Sequence, residues 1–230
     1  MFLGHFAVGF AAKRAAPRTS LAILLASASL IDLLFPLFLL LGWERVWSGP
    51  GSNHFTRMSF FYPFSHSLAA TVVWAIAAAS IYWAITRYRA GAVVAELAVL
   101  SHWVLDAVSH KPDMPLYPGA SPRVGLGLWY SVTATVIVEG LMFAAGVRIY
   151  AAITRPRNRK GVYGLWSFVA LMVLLYLANI LGPPPPDSRA VGWAGLAFVL
   201  FLLYVAWFDG HREVTLPGAG RRLRGPEPIK

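Results

Sequence analysis

Apolar runs long enough to cross a bilayer follow one another along this chain, separated by short polar or basic turns. Such runs leave few folding options. Backbone N–H and C=O groups placed in hydrocarbon must pair internally, and a helix does so segment by segment. Roughly 20 residues of helix cross a hydrocarbon core. Residues 20–42, 66–86, 90–109, 126–153, 162–181 and 191–208 meet or approach that length. Hydrophobic residues make up 57% of the chain and charged residues 13%, against about 25% charge in a soluble domain. The expected fold is all-α: an integral membrane helical bundle of about six transmembrane helices plus a short N-terminal helix. It forms a single domain over residues 1–210, and residues 211–230 are expected to be a basic, partly disordered tail. Residues 2–12 are too short to span, and their basic neighbours Lys13, Arg14 and Arg18 follow instead of preceding them. That is not a secretory signal; the segment is expected half-inserted or lying at the interface. Between the spans, 43–65 reads as a polar, aromatic-rich loop, 111–125 as a Pro/Gly-rich loop and 183–186 as a stiff polyproline connection.

The net charge of +10 is a matter of topology and not of nucleic-acid binding. With the loop Arg155–Lys160 set in the cytoplasm, 15 Lys and Arg residues fall on that side: Lys13, Arg14, Arg18, Arg87, Arg89, Arg148, Arg155, Arg157, Arg159, Lys160, Arg212, Arg221, Arg222, Arg224 and Lys230. The other side holds 5: Arg45, Arg57, Lys111, Arg123 and Arg189. The positive-inside rule then puts both termini in the cytoplasm. The cluster Arg221, Arg222 and Arg224 reads first as a topology determinant and second as a contact to anionic lipid. There is no cysteine, so disulfides and thiolate ligands are excluded, and a bound metal must use His, Asp, Glu or water.

Ionisable residues inside spans are expensive and default to a functional reading. His102, Asp106 and His110 recur at i, i+4 and i+8, one slowly drifting helical face. With the third span rising from the cytoplasm, they lie roughly 18, 24 and 30 Å up it. Asp32 sits about 18 Å up the first span, level with His102, and His66 opens a descending span near the outer face. His5 and Glu139 fall lower, towards mid-membrane. Asp32, His66, His102 and Asp106 are thus expected to converge in the outer half of the membrane. His110 and Asp113 stand at the mouth, nearer a substrate, and Pro112 ends the helix there. Taken singly, each has a plain explanation: His5 a hydrogen-bonded core histidine, His66–Ser67 a helix cap, Glu139 a neutral structural acid. Two His and two Asp at matched depth on three spans are harder to explain as packing.

Gly4-His5, Asp32-Leu-Leu-Phe-Pro36, Ser65-His66-Ser67 and Ser101-His102-x-x-x-Asp106 resemble the bacterial inner-membrane family of membrane-bound, metal-dependent hydrolases. That family is itself distantly similar to zinc-dependent phospholipases C and related nucleases. The motifs cover about the first half of the chain. The resemblance implies Asp32, His66, His102 and Asp106 as ligands of one ion, zinc by family. It also implies His5 as a ligand of a second ion, with Asp106 as the bridge. The chain departs from the family in carrying Leu33-Leu34-Phe35 after Asp32 and Tyr62-Pro63-Phe64 before Ser65, and it lacks the second His-x-x-x-Glu pair. The implied activity is hydrolysis of a phosphoester of a membrane lipid or lipid-linked substrate, with Asp32 or Asp106 as catalytic carboxylate and Lys111 or Arg123 meeting the anion. A bound zinc would lower the pKa of its water to about 7. Three alternatives stay open from the residues: a transporter in which Asp32, Glu139 and the histidines titrate along a path, a cytochrome with His66 and His102 as axial ligands, and an inert structural metal. The sequence leaves the oligomeric state open.

Overall fold

The computed structural model describes residues 1–49, 51 and 53–215. Nine α-helices carry that described chain: α1 (Phe2–Ala15), α2 (Leu21–Ala28), α3 (Leu30–Leu40), α4 (Leu68–Thr86), α5 (Arg89–Ser109), α6 (Val132–Ile153), α7 (Arg159–Leu181), α8 (Ser188–Leu196) and α9 (Phe198–Gly210). Five candidate spans are long and apolar enough to cross a membrane: α4, α5, α6, α7 and the segment Ser188–Gly210 that contains α8 and α9. The pair α2 and α3 makes a sixth, bent by 61°. Five helices start on a side chain that accepts from a first-turn amide: Ser20, Ser67, Ser131, Asn158 and Asp187. Large apolar side chains such as Val73, Ile85, Leu141, Leu174 and Leu200 face outward, as lipid solvation requires.

The centre of the bundle is α1. It packs chiefly on α6, α2 and α5, and its residues Leu3 to Ala7, Gly9, Phe10 and Lys13 are buried. This corrects the interfacial placement expected for residues 2–12. A helix apolar on every face belongs inside, and small residues let it pack closely. A Cβ on Gly146 would come within 2.5 Å of the Ala7 backbone, and one on Gly9 within 2.9 Å of the Leu25 backbone. Phe6 and Phe10 continue from α1 into an aromatic core with Phe143, Tyr150, Phe168 and Phe208.

The first span is not the straight helix expected over 20–42. It breaks at Ser29, whose φ of −116° and ψ of 18° lie outside helical geometry. Three residues later α3 carries Asp32 in its first turn, and Pro36 rests against Gly195 of α8.

Small antiparallel ladders close the loops. β1 (Arg45–Ser48) pairs with β2 (Met58–Phe61), giving the aromatic 43–65 loop a hairpin, and β3 (Met114–Pro115) pairs with β4 (Arg123–Val124). At the opposite end of the bundle, β5 (Thr154–Pro156) pairs with β6 (Arg212–Val214). Arg212 donates to the Thr154 hydroxyl and to the Thr154 and Gly161 carbonyls, so the first residues of the basic tail are held to the bundle. The expected disorder and the cluster Arg221, Arg222 and Arg224 lie outside the described residues. At the same end Asp209 accepts from Lys13 Nζ, the Leu21 amide and the Tyr150 hydroxyl. That end is basic, and the His/Asp residues gather at the other.

Candidate metal centre

Four elements deliver the centre. His102 and Asp106 stand one turn apart on α5, His66 precedes the Ser67 cap of α4, Asp32 follows the break before α3, and His5 comes from α1. His102 Nε2 lies 3.2 Å from Asp106 Oδ2 and 3.6 Å from Asp32 Oδ2. His66 Nε2 lies 3.3 Å from Asp32 Oδ1 and 3.8 Å from Asp106 Oδ2. His5 stacks on His102 with ring centroids 3.5 Å apart and planes within 7°, and its Nε2 is 3.1 Å from Asp106 Oδ1. The Met1 amino nitrogen meets the same Asp106 oxygen, so the N-terminal residue lies at this centre and not, as expected, on the side of the bundle that holds Arg212–Val214. Two triads have ligand atoms within 4.8 Å of one another: His66, His102 and Asp106, and His5, Asp32 and His102.

The tautomers of two histidines follow from their outer hydrogen bonds. His102 Nδ1 lies 2.7 Å from the Ala28 carbonyl, a pure acceptor, so Nδ1 carries the proton. The break at Ser29 leaves that carbonyl free. His66 Nδ1 lies 2.7 Å from Ser65 Oγ, and the Ser65 hydroxyl donates to Glu44 Oε2 at 2.7 Å. Its single proton is spent there, so His66 Nδ1–H must donate to it. Glu44 is buried and is held by the Phe64 and Ser65 amides, each 2.8 Å from Oε1. Both imidazoles therefore turn Nε2 towards the two carboxylates, and His102 Nε2 is buried without a hydrogen-bond partner. Two nitrogen lone pairs facing two carboxylates repel unless protons or a cation sit among them. Nitrogen and oxygen donors with locked Nδ1–H groups suit a divalent ion of the zinc kind, so the residues present fit that group.

A cavity of about 180 Å³ opens on the centre, with Asp32, His66, Asp106 and His110 on its wall and Phe35, Phe60, Tyr62 and Trp129 around them. It is too small for a porphyrin, and Asp32 and Asp106 stand where a haem between His66 and His102 would lie. The Asp32 side chain is 48% exposed while that of Asp106 is 2% exposed, so Asp32 is the carboxylate that incoming molecules meet. His110 Nδ1 lies 3.0 Å from Asp113 Oδ1, and the Tyr62 hydroxyl donates to the same oxygen at 3.0 Å. Burial, then Asp113, pushes the Tyr62 phenol well above its ordinary range, which keeps it a donor. Burial pushes the His110 imidazole down, so it is neutral at pH 7.

Other expected residues fall elsewhere. Glu139 stands at the start of α1: its Oε2 accepts from the Leu3 and Gly4 amides at 2.7 and 3.4 Å, a carboxylate at the N-terminus of α1. His5, stacked on His102, is level with the other residues of the centre and not below them. Lys111 Nζ reaches the Thr56 carbonyl and Ser59 Oγ, and Arg123 lines a separate cleft beside Asp113, so neither stands on the cavity wall. The roles of Glu44 and the Ser65 hydroxyl are not among the sequence expectations. Only Ser65 carried a signal, its position beside His66.

A family profile described as YdjM inner membrane protein matches residues 1–182, a stretch that holds every residue of the centre. The chain belongs to the YdjM inner membrane protein family. It is thereby an inner membrane protein, as its motifs suggested; the family description names no reaction. The chain is also similar to the adenosylcobinamide-GDP ribazoletransferase of Deinococcus radiodurans, 26% identical over 156 residues, covering 64% of this chain and 52% of that one. It spans about half the length of that relative. No solved structure matches.

Proposed function

We propose that this YdjM-family protein is a membrane-embedded, metal-dependent hydrolase, phosphoesterase-like, acting on a lipid or lipid-linked substrate. The observation that carries the reading is the pair of locked imidazoles, His66 and His102, turning Nε2 towards Asp32 and Asp106. These four side chains would hold one divalent ion, zinc by donor type, and His5 would reach a second with Asp106 as bridge. When bound, such an ion supplies a Lewis acid for a phosphoryl oxygen and lowers the pKa of water.

The protein's own groups have separable tasks. Asp106, buried between three histidines, orders them. Asp32, facing the cavity, accepts a proton from an entering water. His110, its Nδ1–H taken by Asp113, has an Nε2 with no hydrogen-bond partner among the described residues and lines the cavity; as a neutral base it takes up the proton that Asp32 removes from water and passes it on to the leaving oxygen. Phe35, Phe60 and Trp129 exclude bulk water. The named substrate of the Deinococcus relative is a GDP conjugate, which favours a phosphate-bearing substrate here.

In the same reading the basic end, with residues 212–214, faces the cytoplasm, and the centre, where Met1 is buried, occupies the outer half of the bilayer. The excess of 15 over 5 basic residues supports it.

The test is phosphodiester hydrolysis by purified protein before and after chelation, in the native chain and in Asp106→Ala. Loss in both, with folding retained, is expected. Activity that survives both sinks the reading, and pH-driven flux through proteoliposomes of a metal-free protein would assign these groups to a proton relay instead.

A further inference from the structure

Three cavities adjoin in sequence across this bundle. The cavity at the His/Asp centre shares Phe2, Phe60 and Trp129 with a chamber of about 140 Å³. That chamber shares Tyr176 with an apolar groove of about 760 Å³ between α6 and α7. The groove exists because α6 packs along α1 while α7 packs along α9, and the two scarcely touch. Gly140 widens it, since a Cβ there would meet nothing within 4 Å. Both walls belong to candidate spans, so the medium the groove faces is lipid chain.

The chamber between groove and centre is polar in an unusual way. Glu139 Oε1, the Tyr176 hydroxyl and Trp129 Nε1 are buried there without hydrogen-bond partners. Glu139 and Tyr176 are 0% and 3% exposed. Unpaired buried polar groups cost free energy, and these three offer two donors and an acceptor to one small space. A neutral acceptor, such as an acyl-ester carbonyl at the glycerol neck of a lipid, satisfies the two donors, Tyr176 and Trp129. A phosphate does not, because Glu139 would repel it. The stacked rings of Phe2 and Tyr176, with centroids 6.1 Å apart and planes within 3°, separate the three spaces.

We propose that a membrane lipid enters sideways between α6 and α7, its chain in the apolar groove and its ester-bearing glycerol neck against Tyr176 and Trp129, so that its phosphate reaches the His/Asp centre. The step to the phosphate rests on the hydrolase reading above; the docking of chain and neck does not. The Phe2–Tyr176 stack is the gate on this route.

The full chain in phosphatidylethanolamine–phosphatidylglycerol vesicles, doped with a phosphatidylglycerol carrying a diazirine in its acyl chain, gives the test. Photolabel is expected to concentrate on Ala144, Val169 and Val173. It should fall roughly tenfold in Gly140→Trp, the fold-change that overpacking of ordinary cost produces, and not in Val73→Trp on α4. Tyr176→Phe, which removes only the hydroxyl that the neck meets, should lower the groove label, but by less than Gly140→Trp does. Label spread evenly over the outward faces of all spans, or unchanged in Gly140→Trp, overturns the proposal. Zinc content is read on the same preparations: labelling confined to the groove of a metal-free protein upholds the docking while defeating the hydrolase.

Discussion

At the scale of single residues, the centre depends on who holds the outer nitrogen of each imidazole. Ser65 and Glu44 fix His66 as the Ala28 carbonyl fixes His102. Ser65→Ala should weaken zinc binding by roughly 10- to 100-fold, the usual cost of losing such a partner, read by competition with a chromogenic chelator. His110 sets a pH limit. Burial holds its pKa below the ordinary 6.5, so it stays neutral and basic as the pH falls to about 6.5 and is protonated only below that. The acid limb of kcat that depends on this residue should therefore lie under pH 6.5, and His110→Gln should remove that limb with a loss of roughly 10²–10⁴ in kcat. A limb that keeps its place in His110→Gln would rule out this role. Asp32, His66, His102 and Asp106 were legible in the sequence because ionisable residues at matched depth are conspicuous in apolar spans. Glu44 and the Ala28 carbonyl were not, since their roles come from tertiary placement: one at a loop end, one freed by a helix break.

At the scale of elements, the two departures from expectation share a cause. Hydropathy registers that a segment is apolar but not whether lipid or protein surrounds it. Residues 2–15 are too short to span, yet they form a helix enclosed within the bundle, admitted by Gly9 and Gly146. The break at Ser29 was equally invisible, because an apolar run with one serine reads as continuous helix. Both bring the centre together: α1 carries His5 in, and the break turns Asp32 towards His66 and His102. Gly146→Val would press a side chain on the Ala7 backbone, at a cost of about 1–3 kcal/mol or more. The expected result is a lower Tm in detergent together with loss of the His5-dependent second metal equivalent. An unchanged Tm would mean that α1 does not sit where the bundle holds it.

At the scale of the whole molecule, the number and order of spans were legible because each hydrophobic run is close to one bilayer thickness. The ladders β1–β2, β3–β4 and β5–β6 were not, since short strands in aromatic or basic loops leave no period to read. Orientation is open to direct measurement. With no native cysteine, Gly119→Cys and Arg157→Cys are single reporters at opposite ends of the bundle. An impermeant maleimide applied to intact cells should label Gly119→Cys and reach Arg157→Cys only after the membrane is opened. The reverse pattern would turn the centre towards the cytoplasm and change which pool of substrate it meets.

Elemental analysis of protein purified without added metal decides whether His66, His102, Asp32 and Asp106 hold a metal ion. One or two equivalents of zinc per chain are expected, and roughly less than half an equivalent, for the loss of a ligand, in His102→Ala that remains folded. No zinc in the native protein, or equal zinc in His102→Ala, would contradict metal binding at this centre.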